Sequence, residues 1–262
     1  MRKVIGWLSR TKTSQAAPSR RRRIDLGERP APYPIYAIGD VHGCLDLLQR
    51  AEARIAADIA ATGRAGLVVL LGDYIDRGPA SAQVLDHLIA PSALGLKRLP
   101  LCGNHDDLFQ RFLADPDAGA DWLGLGGEQT LKSYGIDIHN GTFRQRSRAG
   151  TLKALVDGTV PEIHRQFLAG LPVSLKVGDL FFVHAGIRPG IPTEDQSEND
   201  MLWIREPFLS DGPKLPHLIV IHGHTPHDAP SPGPQRIGID TGAFYSGVLT
   251  VLRIDGSQVA FI

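Results

Sequence analysis

A chain of 262 residues and 28.4 kDa fits one large α/β domain with a short appendage, and 42% apolar residues are enough for a substantial core. The formal net charge is zero, yet residues 1–30 hold nine Lys/Arg against Asp25 and Glu28, so the rest carries 19 basic and 26 acidic residues and lacks the basic face that nucleic acid requires. Two cysteines are too few for a disulfide framework, and no apolar run reaches the ~20 residues of a membrane span or the ~7–15 of a secretory signal, which points to the cytoplasm.

Residues 1–33 read as a mobile basic tail, with Arg20 to Arg23 in a row. Val4, Ile5, Trp7 and Leu8 beside these arginines give the tail a weak means of touching an anionic membrane surface. From Pro34 to residue 262 the pattern becomes that of a folded domain. Ile35 to Ile38 is an apolar run ending at Gly39-Asp40, which predicts a buried strand with a ligand at its carboxyl end. Leu48, Ala51, Ile55 and Ile59 recur at helical spacing and predict a helix over 45–61. Leu67 to Leu71 repeats the strand-Gly-Asp pattern, Ser81 to Ala90 is the next helix, and Leu99 to Cys102 is a third strand running into Gly103-Asn104-His105. Such β-α-β-α-β order makes parallel strands whose carboxyl ends meet at one edge.

Between about 107 and 170 the rhythm breaks into helical pieces (107–114, 128–134 and 162–168) joined by Gly- and Arg-rich loops, the composition of a lid. Strands follow at 173–177, 180–183, 217–221, 236–239, 247–254 and 257–262. Gly178-Asp179 and Asp255-Gly256 read as hairpin turns, so a second, largely antiparallel sheet is expected to pack on the first.

Five of these segment ends bring oxygen or nitrogen ligands next to glycine, with no thiolate among them. Asp40 and His42 are two apart and can face one way on an extended strand end, offering one hard oxygen and one imidazole to a first metal. Asp73 is the natural bridging carboxylate, because one group must touch both ions of a pair held ~3.5–4 Å apart. Asn104, His184 and His224 supply an amide oxygen and two imidazoles to a second metal. His222 is an alternative to His224, though it closes an apolar run and suits the core. Cys44 and Cys102 flank ligand segments and read as small buried residues.

The order Gly39-Asp40-Val41-His42-Gly43, Gly72-Asp73-Tyr74-Ile75-Asp76-Arg77-Gly78, Gly103-Asn104-His105-Asp106, His184-Ala185-Gly186 and Gly223-His224-Thr225-Pro226 resembles the calcineurin-like metallophosphoesterases. Within them it is most similar to the phosphoprotein phosphatases, in particular the compact bacterial and bacteriophage serine/threonine phosphatases. The similarity spans roughly 34–262. It implies an α/β sandwich of two mixed sheets flanked by helices, with a helical lid segment. It also implies two divalent ions (Mn, or Fe, Zn or Co) on Asp40, His42, Asp73, Asn104, His184 and His224, and hydrolysis by a metal-bridging hydroxide. By the same resemblance His105 is the general acid, Asp76 orients it, and Arg77 and Arg205 clamp phosphate oxygens, with Tyr245 facing the substrate. The implied substrate is a phosphorylated protein or peptide. The alternative is a dinucleoside polyphosphate such as diadenosine tetraphosphate, handled by a related branch whose second segment often lacks the pair seen at Asp76-Arg77. Nucleases of the superfamily usually carry Gly-His-x-His, and here Pro226 stands two after His224.

Overall fold

The short apolar runs become the inner strands of two sheets in a computed structural model that describes residues 21–139 and 149–262. β2 (Ile35–Ile38) pairs in parallel with β3 (Leu67–Leu70), and β3 in parallel with β4 (Lys97–Pro100). Side chains on a strand alternate between faces. Ile35, Ala37, Val69 and Leu71 accordingly enter a core between the sheets, while Tyr36, Ile38, Val68 and Leu70 enter a second core under the helices. A strand buried on both faces must be apolar throughout, which is why these segments read as unbroken runs.

Helices α1 (Leu45–Thr62) and α2 (Ser81–Ile89) connect these strands, close to the expected bounds. α1 buries one carboxylate, Glu52, which accepts from Arg98 Nη1 at 3.1 Å and pairs with His87 Nε2 at 2.8 Å, so its charge is not left alone in the core. β4 starts two residues earlier than expected, and the Leu101 N–H continues the ladder to Leu70 O at 2.9 Å.

The second sheet departs from expectation. Its order is β1 (Arg23–Asp25), β5 (Ser174–Val177), β6 (Leu180–Val183), β7 (Ile219–His222), β9 (Arg236–Gly238) and β8 (Ser231–Gly233). Three of its five pairings are parallel, so it is mixed, as the family resemblance implies, rather than largely antiparallel as the turns suggest. β10 (Val251–Asp255) and β11 (Gln258–Phe261) form the expected hairpin, but β10 joins β2 and so belongs to the first sheet. Turn residues identify a hairpin without saying which edge it joins.

The tail expected over 1–33 is shorter among the described residues, since Arg23–Asp25 pairs in parallel with Ser174–Lys176. Basic composition hid this strand: Arg23 spends its guanidinium on the carbonyls of Thr193, Glu194 and Gln196. Residues 1–20, with the proposed membrane contact at Val4, Ile5, Trp7 and Leu8, lie outside the described residues. No helix among those described is long and apolar enough to cross a membrane.

The stretch expected as a lid holds α3 (Asn104–Ala114), a 3-10 turn (Ala120–Leu125), α4 (Gly127–Ser133), α5 (Ala149–Thr159) and α6 (Glu162–Gly170). α5 had no counterpart in the sequence reading. α7 (Glu198–Trp203), α8 (Phe208–Asp211) and the short α9 (Ala243–Ser246) complete the helices among the described residues.

Candidate metal centre

The loops after β2, β3 and β4 in one sheet, and after β6 and β7 in the other, bring Asp40, His42, Asp73, Asn104, His184 and His224 into one buried space. Two triads of donor atoms, each within 4.8 Å of one another, form there: His42 with Asp73 and His105, and Asp40 with Asp73 and His184. Asp73 is common to both. Its Oδ2 stands 3.4 Å from His184 Nε2, 3.6 Å from His42 Nε2 and 4.0 Å from His105 Nε2.

Tautomers are set by the backbone. His42 Nδ1–H donates to Ile75 O at 2.8 Å and His184 Nδ1–H to Leu71 O at 2.9 Å, which leaves both Nε2 lone pairs facing inward. Burial lowers the pKa of all three ligand imidazoles, His42 and His224 to about 3, so they are neutral at pH 7. Asn104 Oδ1 sits 2.8 Å from both His184 Nε2 and His224 Nδ1, while His224 N–H donates to Asp40 at 3.1 Å. Burial, then Asp240 and Asp73, drives the Asp40 pKa well up. Lone pairs of neutral imidazoles and carboxylate oxygens therefore crowd one another, an arrangement that a cation relieves. The donor set of O and N atoms fits divalent Mn, Fe, Zn or Co.

The approach is close enough to require glycine at two places. A Cβ on Gly103 would lie 2.1 Å from Asp73 Oδ1, and one on Gly223 would lie 2.0 Å from Asp40 Oδ1. Five non-glycine site residues adopt left-handed backbone: His42 (φ 43°), Asp73 (52°), Asp76 (70°), Arg77 (68°) and His224 (65°). That conformation costs energy, and its concentration here marks the loops as shaped for the site.

Asp76 and His105 meet as expected, Nδ1 to Oδ2 at 2.7 Å. Burial alone would lower the His105 pKa, but Asp73 and Asp76 outweigh it and the value is raised. Arg77 Nη1 donates to His42 Nε2 at 2.8 Å and its Nη2 stands 2.9 Å from His105 Nε2, so the guanidinium lies over the centre. Arg205 is exposed just past α7, near enough for its charge to help keep His224 neutral. Tyr245 is 58% exposed, its ring edge-on to Phe244 at 4.9 Å between centroids. The Phe244 ring is the one that meets His42 (5.7 Å between centroids) and lies 5.2 Å below Arg77 Cζ.

Several site residues escaped the sequence. Asp106 accepts the N–H groups of Asp73, Tyr74 and Gly103 at 2.8, 3.1 and 2.8 Å, tying the loops after β3 and β4 together. Burial, then Asp73, raises its pKa to about 7. Trp122 Nε1 and Thr130 Oγ1 donate to Asp76 from the segment expected as a lid, and no motif marks either. Asp240 lies two residues past the end of β9, as Asp40 lies past β2, and that placement was the available signal.

Residues 33–247 match the calcineurin-like phosphoesterase family. The chain belongs to that family. Among its relatives, the asymmetrical bis(5'-nucleosyl)-tetraphosphatase of Anoxybacillus flavithermus is 26% identical over 82% of this chain and 88% of its own length. The symmetrical bis(5'-nucleosyl)-tetraphosphatase of Dechloromonas aromatica is 31% identical over 86% of this chain and 94% of its own. The crystal structure of a candidate diadenosine tetraphosphatase superposes with a TM-score of 0.61 at 19% identity, covering 92% of this chain and 97% of the other, and shares the fold. As a calcineurin-like phosphoesterase, the chain is a metal-dependent phosphoesterase hydrolase.

Proposed function

We propose that this calcineurin-like phosphoesterase hydrolyses dinucleoside polyphosphates of the diadenosine tetraphosphate type. The observation that carries this reading is the pair of bis(5'-nucleosyl)-tetraphosphatases that match it over more than four fifths of its length. It reverses the order expected from the sequence, where the Asp76-Arg77 pair put a phosphoprotein first. Two ions held by Asp40, His42, Asp73, Asn104, His184 and His224 would supply water activated at neutral pH and neutralise phosphoryl oxygens. Arg77 spans His42 and His105 and reaches a phosphoryl oxygen seated between them, with Arg205 approaching from the His224 side. His105 is the group that gives the departing oxygen its proton, and Asp76 fixes its ring and favours its protonated form.

One observation favours a phosphomonoester instead. A buried His-Asp pair with a raised imidazole pKa is needed most when the leaving group is a poor one, such as the alkoxide of serine, and least when it is a nucleotide phosphate. Comparing kcat/KM on diadenosine tetraphosphate with that on a phosphoserine peptide, using protein reconstituted with manganese, separates the two. Preference for the dinucleotide is expected, and preference for the peptide overturns the proposal.

A further inference from the structure

A cavity of about 940 Å³ opens between α3, the C-terminal end of α6, and α7, and none of the catalytic steps uses it. Two helices carry its lining and also reach the metal centre. On α3, Asp107, Arg111 and Ala114 line it, and at spacings of three and four they share one face with the ligand Asn104. From Asn104 to Arg111 a helix advances about 10 Å at ~1.5 Å per residue, the reach of a short polyphosphate. On α7, Asn199 and Trp203 are one turn apart. The Trp203 ring meets His224 edge-on, 6.1 Å between centroids, so one indole borders both spaces.

The lining suits a nucleotide. Trp203 is 36% exposed and offers a stacking surface. Asn199 offers donors and acceptors to a base edge. Arg111, 68% exposed although its Nη2 pairs with Asp107 Oδ2 at 2.7 Å, and the exposed Arg22 offer charge to phosphates from the rim. Arg21 is not available for this. Its guanidinium donates to Asp107 Oδ1 at 3.1 Å and Leu168 O at 2.9 Å, while its Nε lies 3.5 Å from Glu198 Oε1, so it braces the walls. The volume lies within the ~300–1,000 Å³ of small-molecule sites.

We infer that this cavity is the subsite for the distal nucleotide of a dinucleoside polyphosphate, its base stacked on Trp203 and its phosphates met by Arg111 and Arg22. This rests on the reading of the chain as a dinucleoside polyphosphate hydrolase. The test compares Trp203→Leu and Arg111→Glu with wild type on diadenosine tetraphosphate and on p-nitrophenyl phosphate, which is too short to span both spaces. In either variant the ratio of the two kcat/KM values should fall about tenfold or more against the dinucleotide. Trp203 also touches His224, so Arg111→Glu, on an exposed side chain, carries the test if Trp203→Leu loses metal or fold. Titration with ADP should quench wild-type tryptophan fluorescence, and Trp203→Leu should lose that quench. An unchanged ratio in both variants, with wild type active on the dinucleotide, removes the subsite and leaves the activity standing. A wild type inactive on diadenosine tetraphosphate removes both.

Discussion

The Asp76 carboxylate receives three side-chain donors, from His105 Nδ1 and Trp122 Nε1 at 2.7 Å each and from Thr130 Oγ1 at 2.6 Å. These fix an otherwise costly buried charge, and through it the ring of His105. His105→Asn should therefore keep its metals yet lower kcat on alkyl phosphates by about 10²–10⁴, with much smaller loss on aryl phosphates, whose leaving group hardly needs a proton. Equal loss on both would contradict the role given to His105. His222 tests burial apart from catalysis. Its pKa is lowered to about 3, first by desolvation, and its ring packs edge-on against Phe208. A histidine depressed in the folded state takes up fewer protons there than in the unfolded chain. Its contribution is fully present above pH ~6.5 and is lost as pH falls toward 3. In denaturant titrations across pH 6 to 4, His222→Gln should shed up to about 1.4 kcal/mol per pH unit from the slope. An unaltered slope would mean that the His222 pKa is not depressed.

Strand ends decide where the ligands stand. β2, β3, β6 and β7 end one to three residues before Asp40, Asp73, His184 and His224, and glycine lets the ligand loops close over one another. Gly103→Ala, whose new Cβ would collide with Asp73 Oδ1, should lose metal affinity by at least tenfold, measured by titration with manganese, and lower the melting temperature. Undiminished metal binding in this variant would show that the loop after β4 yields freely. At this scale the ligand segments were legible because each is an apolar run stopped by glycine and a ligand, a pattern that packing alone does not produce. Trp122, Thr130 and Phe244 were not, because their roles come from tertiary approach: each belongs to a segment of unremarkable composition that reaches the site only after folding. β1 was hidden for a different reason, since arginines that bond carbonyls look the same in sequence as arginines in water.

Across the whole molecule, the two sheets meet over an apolar core and pool their candidate ligands at one edge, Asp40, His42, Asp73 and Asn104 from the first and His184 and His224 from the second. Ions held by these residues would link the sheets, so their binding energy would also stabilise the fold. The inter-sheet layering followed from the unbroken apolar runs. The edge taken by the last hairpin did not, because strand pairing across 200 residues is chosen by complementarity between faces rather than by local pattern. Asp73, shared by both donor triads, is where the account is most exposed. Metal content after manganese reconstitution and desalting, read by plasma mass spectrometry on wild type and on Asp73→Asn, tests it directly. About two ions per chain are predicted for the wild type, with the variant losing both. One ion or none in the wild type, or two retained without the Asp73 carboxylate, would contradict it.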